Sequence, residues 1–94
     1  MKYKRYFQPG GTYFFTVVTY NRIKIFINEE AFLLFHQATE YVQRNHSFQI
    51  NAYSICPDHI HMIWTLPADD FDYPTRWRLI KSFFSRNWTY PENN

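Results

Sequence analysis

One cysteine in 94 residues, Cys56, leaves no internal disulfide to hold this chain together, and nothing points to an oxidising compartment. Only two glycines and five prolines are present, so neither low complexity nor a long linker is expected. Apolar runs are short. None approaches the roughly 18 residues needed to span a bilayer, and the opening "MKYKRYFQPGG" lacks the continuous apolar core of a signal peptide. No membrane partner and a cytoplasmic location are therefore expected. Excess charge is also small, at +2, which does not by itself mark a nucleic-acid binder; distribution matters more than the sum.

Aromatic rings are what the chain does have. Ten Phe, eight Tyr and three Trp make up 22% of it, and each ring can remove about 150–250 Å² from water. That content supports a single small globular domain covering residues 1–94, despite a mean hydropathy of −0.50; the order of its elements, below, makes it α+β. The bases gather at Lys2, Lys4 and Arg5, at Arg22 and Lys24, and at Arg76, Arg78, Lys81 and Arg86. Most acids lie elsewhere, so one face could be basic on a nearly neutral molecule.

"TYFFTVVTY", Thr12 to Tyr20, has the β-branched and aromatic composition of a strand, broken by Asn21 and Arg22. Asn28 is a good helix N-cap, with Glu29 and Glu30 in the favoured first turn. Phe32, Phe35, Ala38 or Thr39, and Val42 then recur at helical spacing. "FQINAYSI" alternates as a half-buried strand, Pro57 and Asp58 make a tight turn, and "HIHMIWTL" returns as the second arm of a hairpin. A second helix fits Thr75 to about Trp88, with Trp77, Ile80, Phe84 and Trp88 on its apolar side. The order, strand, helix, strand, strand, helix, is a ferredoxin-like fold without its closing strand, which is either missing or supplied by another chain.

In a strand, His59 and His61 share one face with Ile63, while Ile60, Met62 and Trp64 face the other way. Helices cover one side of such a sheet, so the apolar trio belongs beneath them and both imidazoles belong on the open side. There they can ligate a divalent ion, with a further ligand still required. The same spacing also fits two exposed or hydrogen-bonded structural histidines. A nucleotide-handling triad would need a third histidine where Ile63 stands. A paired phosphoesterase would need a second His-x-Ser/Thr, which neither His36 nor His46 begins.

Three blocks, "GGTYFFTVVTYNR", "ICPDHIHMIWTLP" and "RWRLIKSFFSR", occur in order and span most of the chain. Together they resemble the REP-associated tyrosine transposases, relatives of the single-tyrosine HUH transposases. The resemblance implies that His59 and His61 hold Mg²⁺ or Mn²⁺ against the scissile phosphate of single-stranded, hairpin-bearing DNA while a tyrosine hydroxyl attacks. A 5′-phosphotyrosine link and a free 3′-hydroxyl are the implied products. It also implies a homodimer, which an exposed sheet edge would favour. In the family the nucleophilic tyrosine sits on a later helix. Here only Tyr73 and Tyr90 follow His61, and neither matches, so no catalytic residue is assigned and the nucleophile is expected beyond Asn94. The chain then reads as a transposase domain truncated before its tyrosine helix. Two alternatives stand beside this: a hairpin-DNA-binding remnant without catalysis, and an unrelated ferredoxin-like domain with structural histidines. For DNA phosphates the candidates are Arg22, Arg78 and Lys81. Tyr3, Tyr6 and Phe7, interleaved with the leader's bases, could stack unpaired bases or pack over the sheet.

Overall fold

The computed structural model describes the backbone of residues 2–3 and, in full, residues 10–89. Tyr90 and the leader side chains considered for base stacking lie outside the described residues. In chain order the elements are β1 (Lys2–Tyr3), β2 (Thr12–Val18), α1 (Glu29–Gln43), β3 (Gln49–Cys56), β4 (His59–Thr65) and α2 (Tyr73–Asn87). A short 3-10 turn, Tyr20–Arg22, follows β2. All pairings are antiparallel and the sheet order is β1-β2-β4-β3. The three long strands therefore form the expected split arrangement, with α1 carrying the chain over β4. On the outer edge of β2, where a closing strand was expected to be absent, the chain's own leader pairs over two residues. Lys2 lies opposite Thr16 and Tyr3 opposite Phe15.

Local chemistry sets the element ends. β2 stops at Val18 rather than Tyr20 because Asn21 and Arg22 adopt left-handed φ values of 52° and 56°. Asn28 caps α1, its Oδ1 accepting from Ala31 N at 3.0 Å. Helix α2 begins at Tyr73, two residues earlier than expected, since Asp72 is the cap and its Oδ1 accepts from Thr75 N at 3.2 Å. Pro74 fits the first turn, where its missing N–H would have no helical partner anyway. Between Ile50 and Ala52 the β3–β4 register shifts by one residue. This bulge leaves Asn51 outside the ladder, and its Oδ1 accepts from Thr65 Oγ1 at 3.0 Å. Without the extra residue, Ile50 and Ile55, an odd number of positions apart, could not both face the helices.

Both helices cover one face of the sheet. Ile60, Met62 and Trp64 are buried beneath them, with Phe15, Tyr73, Trp77 and Ile80. Trp64 and Trp77 stack at 4.6 Å with 15° between planes, and Phe15 meets both edge-on. Their indole Nε1 atoms have no hydrogen-bond partner among the described residues, at about 1–3 kcal/mol each. Burying each ring returns about 4–6 kcal/mol at about 25 cal/mol per Å², so the packing outweighs the orphaned donors. Arg76, grouped with the basic cluster by position, is interior at 3% exposure. Its guanidinium bonds both Asp70 carboxylate oxygens and the carbonyls of His46, Ser47 and Asp72. No helix among the described residues is long and apolar enough to cross a membrane.

Candidate functional site

The uncovered face of the sheet is built by strand alternation. From β4 it takes His59, His61, Ile63 and Thr65, which are neither fully buried nor beneath a helix. Register places Thr16 and Ser54 on either side of His61, and Val18 and Cys56 on either side of His59. The two imidazole centroids are 4.9 Å apart, with 76° between ring planes. Phe14 lies on the same face, half exposed, its ring 5.8 Å from that of His61.

Each imidazole has its Nδ1 engaged. His59 Nδ1 is 2.8 Å from Asp58 Oδ1, and His61 Nδ1 is 3.1 Å from Thr16 Oγ1. Asp58 Oδ2 accepts in turn from Arg22 Nε at 2.9 Å. The bonds from His59 and then Arg22 hold the Asp58 carboxyl below its usual 3.8. An ionised carboxylate only accepts, so His59 Nδ1 is the donor and its Nε2 carries the lone pair when the ring is neutral. Neither Nε2 is hydrogen-bonded to any described residue. Two nitrogen donors on one rigid strand, one backed by a carboxylate, fit two positions of the ligand set of a divalent ion. Among the described residues no cluster of three or more His, Cys, Asp or Glu side chains completes it; Cys56, opposite His59 in register, does not.

The family model for IS200-like transposases matches residues 8–87. This chain belongs to that family. A REP-associated tyrosine transposase from Escherichia coli (strain K12) is 43% identical over 84 residues, an alignment covering 89% of this chain and 50% of that one. A putative REP-associated tyrosine transposase from Haemophilus influenzae (strain ATCC 51907 / DSM 11121 / KW20 / Rd) is 38% identical over 88 residues and is covered over 47% of its length. Among solved structures, a REP-associated tyrosine transposase bound to a REP hairpin matches with a TM-score of 0.78 and 39% identity. That match covers 92% of this chain and 52% of the other. This IS200-like transposase chain spans about half the length of the relatives it matches.

Within the IS200-like chain, the residues picked out for site roles do not all gather. His59, His61 and Arg22 meet at one end of the open face, through Asp58. Arg78 and Lys81 are exposed on α2, which lies against the opposite face of the sheet. Lys81 borders a cleft there with Val17, Ile60 and Phe84. Tyr73 is fully buried in the core, 4.9 Å from Tyr13 ring to ring. Thr16 and Phe14 neighbour His61, and Asp58, expected as a turn residue, is also the hydrogen-bond partner of His59. For Asp58 a signal existed, a carboxylate directly before the first histidine; for Thr16 and Phe14 only the strand register reveals the contact.

Proposed function

We propose that this chain is the histidine-bearing part of a metal-dependent DNA transposase acting on single-stranded DNA with a hairpin. The observation that carries the proposal is the pair of exposed-face imidazoles whose Nε2 atoms no described residue engages while their Nδ1 atoms are tied down. The match to a relative solved with a REP hairpin supports DNA as the partner. His59 and His61 would hold Mg²⁺ or Mn²⁺, whose chemistry when bound is to draw charge from a phosphate oxygen. The protein's own residues supply the rest of the arrangement. Thr16 and Asp58 orient the two rings, and no described helix covers that face of the sheet against a DNA strand. Arg22 has Nη donors with no described partner, and its side chain is 62% exposed, so it can reach a phosphate beside the histidines. Arg78 and Lys81 would contact backbone phosphates farther round the molecule, adding affinity and salt dependence without sequence choice.

Cleavage needs a tyrosine hydroxyl on the open face, and no described tyrosine offers one there. Tyr13 and Tyr73 are core, Tyr41 is on α1, Tyr53 lies opposite Met62 and so faces the helices, and Tyr20 borders the helix-side cleft. In this reading the nucleophile comes from residues other than 10–89, of the same protein or of a second copy paired through the sheet edge. The enzyme is cytoplasmic in the same reading.

Mn²⁺ titration and hairpin-DNA anisotropy on the chain and on a His59→Ala/His61→Ala variant test this. The chain is expected to bind Mn²⁺ and hairpin DNA, the variant to lose the metal and keep most of the DNA affinity. No covalent DNA adduct is expected at any tyrosine among residues 10–89. Undiminished Mn²⁺ binding by the double variant would remove the site, and an adduct at Tyr73 or Tyr20 would overturn the placement of the nucleophile.

A further inference from the structure

We propose that Asp58 is a positioning residue: it fixes which nitrogen of His59 is free, and Arg22 holds Asp58 in the orientation that does so. The inference rests on the histidine pair being the metal site and assigns a role to a residue outside that pair.

The carboxylate is spread between two partners, one on each oxygen. Oδ1 faces His59 Nδ1 at 2.8 Å and Oδ2 faces Arg22 Nε at 2.9 Å. Its backbone is fixed as well, because Asp58 O accepts from Thr19 N at 3.0 Å. The neighbouring turn carbonyl, Pro57 O, accepts from Phe26 N at 3.0 Å. The hairpin turn is thereby fastened to the chain leaving β2 on both sides of the bend. Arg22 reaches it from an unusual place. The Tyr20–Arg22 turn holds two consecutive non-glycine residues at positive φ, a conformation that costs an arginine more than an asparagine. That turn is closed by Arg22 N to Thr19 O at 3.0 Å and by Thr19 Oγ1 to Ile23 O at 2.6 Å. A strained turn whose last side chain ends on Asp58 is a device for aiming that side chain.

The second imidazole shows what Asp58 adds. Thr16 Oγ1 can donate to or accept from His61 Nδ1, so it leaves both neutral tautomers of His61 accessible. Asp58 can only accept. It therefore commits His59 to the Nδ1–H form, with the Nε2 lone pair directed away from the turn. Of the two rings, His59 is pre-set and His61 adapts. A carboxylate behind a ligating imidazole both orients the ring and raises its basicity, and losing it weakens metal affinity by about 10–100-fold.

The test uses residues 1–94 with ¹⁵N-labelled histidine. Long-range ¹H–¹⁵N spectra of the metal-free protein report the tautomer, and Mn²⁺ affinity is measured by electron paramagnetic resonance. Wild type is expected to show His59 as Nδ1–H. Asp58→Ala should shift His59 toward the Nε2–H form, leave the His61 pattern in place and weaken Mn²⁺ by about 10–100-fold. Asp58→Asn keeps the shape of the turn but has only one acceptor oxygen; with that oxygen on the Arg22 Nε–H donor, its NH₂ faces His59 Nδ1 and should move His59 to the Nε2–H form and weaken Mn²⁺ as Asp58→Ala does, which a general loss of turn stability would not do. An unchanged His59 tautomer in Asp58→Ala, or an Nε2–H form in wild type, overturns the proposal. A wild-type chain that shows the Nδ1–H form, loses it in Asp58→Ala and yet binds no Mn²⁺ supports the positioning by Asp58 and overturns the metal reading instead.

Discussion

Arg76→Leu removes a guanidinium that is 3% exposed and makes five hydrogen bonds inside the fold. Three of its acceptors are main-chain carbonyls, at His46, Ser47 and Asp72, so one side chain on α2 pins the α1–β3 connection and the start of its own helix. Each acceptor left dry loses about 1–3 kcal/mol. The Asp70 side chain is 34% exposed, so water screens that charge and the ion pair itself counts for less. Discounting the pair and allowing some carbonyls to find water leaves an expected loss of about 3–4 kcal/mol, near the lower range for breaking a buried pair. Against a total of about 5–15 kcal/mol for a domain, that is a large fraction, and at about 4–8 °C per kcal/mol it lowers Tm by at least about 12 °C. Urea unfolding followed by tryptophan fluorescence measures it directly. Arg76→Lys should recover little, because one ammonium cannot serve acceptors on three sides. A leucine variant within about 1 kcal/mol of wild type, or full rescue by lysine, would refute the reasoning.

Two further outcomes follow from the same structure. Gly10 sits at φ +71° and a Cβ there would lie 3.4 Å from Ala68 Cα, so Gly10→Ala should lower stability by about 1 kcal/mol, the left-handed penalty less the entropy gained in the unfolded chain; a stabilised variant in a thermal melt would contradict it. Asp58 and Asp70 both have pKa values held below 3.8, by His59 and Arg22 in one case and by Arg76 in the other. Their contribution is present above that value and is lost as pH falls through the lowered ones, so the urea midpoint should be level above about pH 5 and drop toward acid, less so in Asp70→Asn.

Much of the architecture was legible because its signals are local. Alternation alone put Ile60, Met62 and Trp64 under the helices and the histidines opposite them, and Asn28 announced the start of α1. Hidden features depended on contacts far apart in the chain. Thr16 meets His61 across 45 residues, and nothing near either residue encodes that register. Arg76 looks like any other base on a helix until the carbonyls of the α1–β3 loop are seen closing over it. The turn at Asn21 and Arg22 was visible as the end of a strand, but the aim it gives the arginine was not.

The doubled residue at Asn51 sets a limit on company along β3, whose outer side has no strand beside it among the described residues. A visiting segment could zip evenly only along the stretch from Ala52 to Cys56 before its amides and carbonyls fell out of step. Any guest at that margin must therefore be brief, or must carry a matching wrinkle of its own.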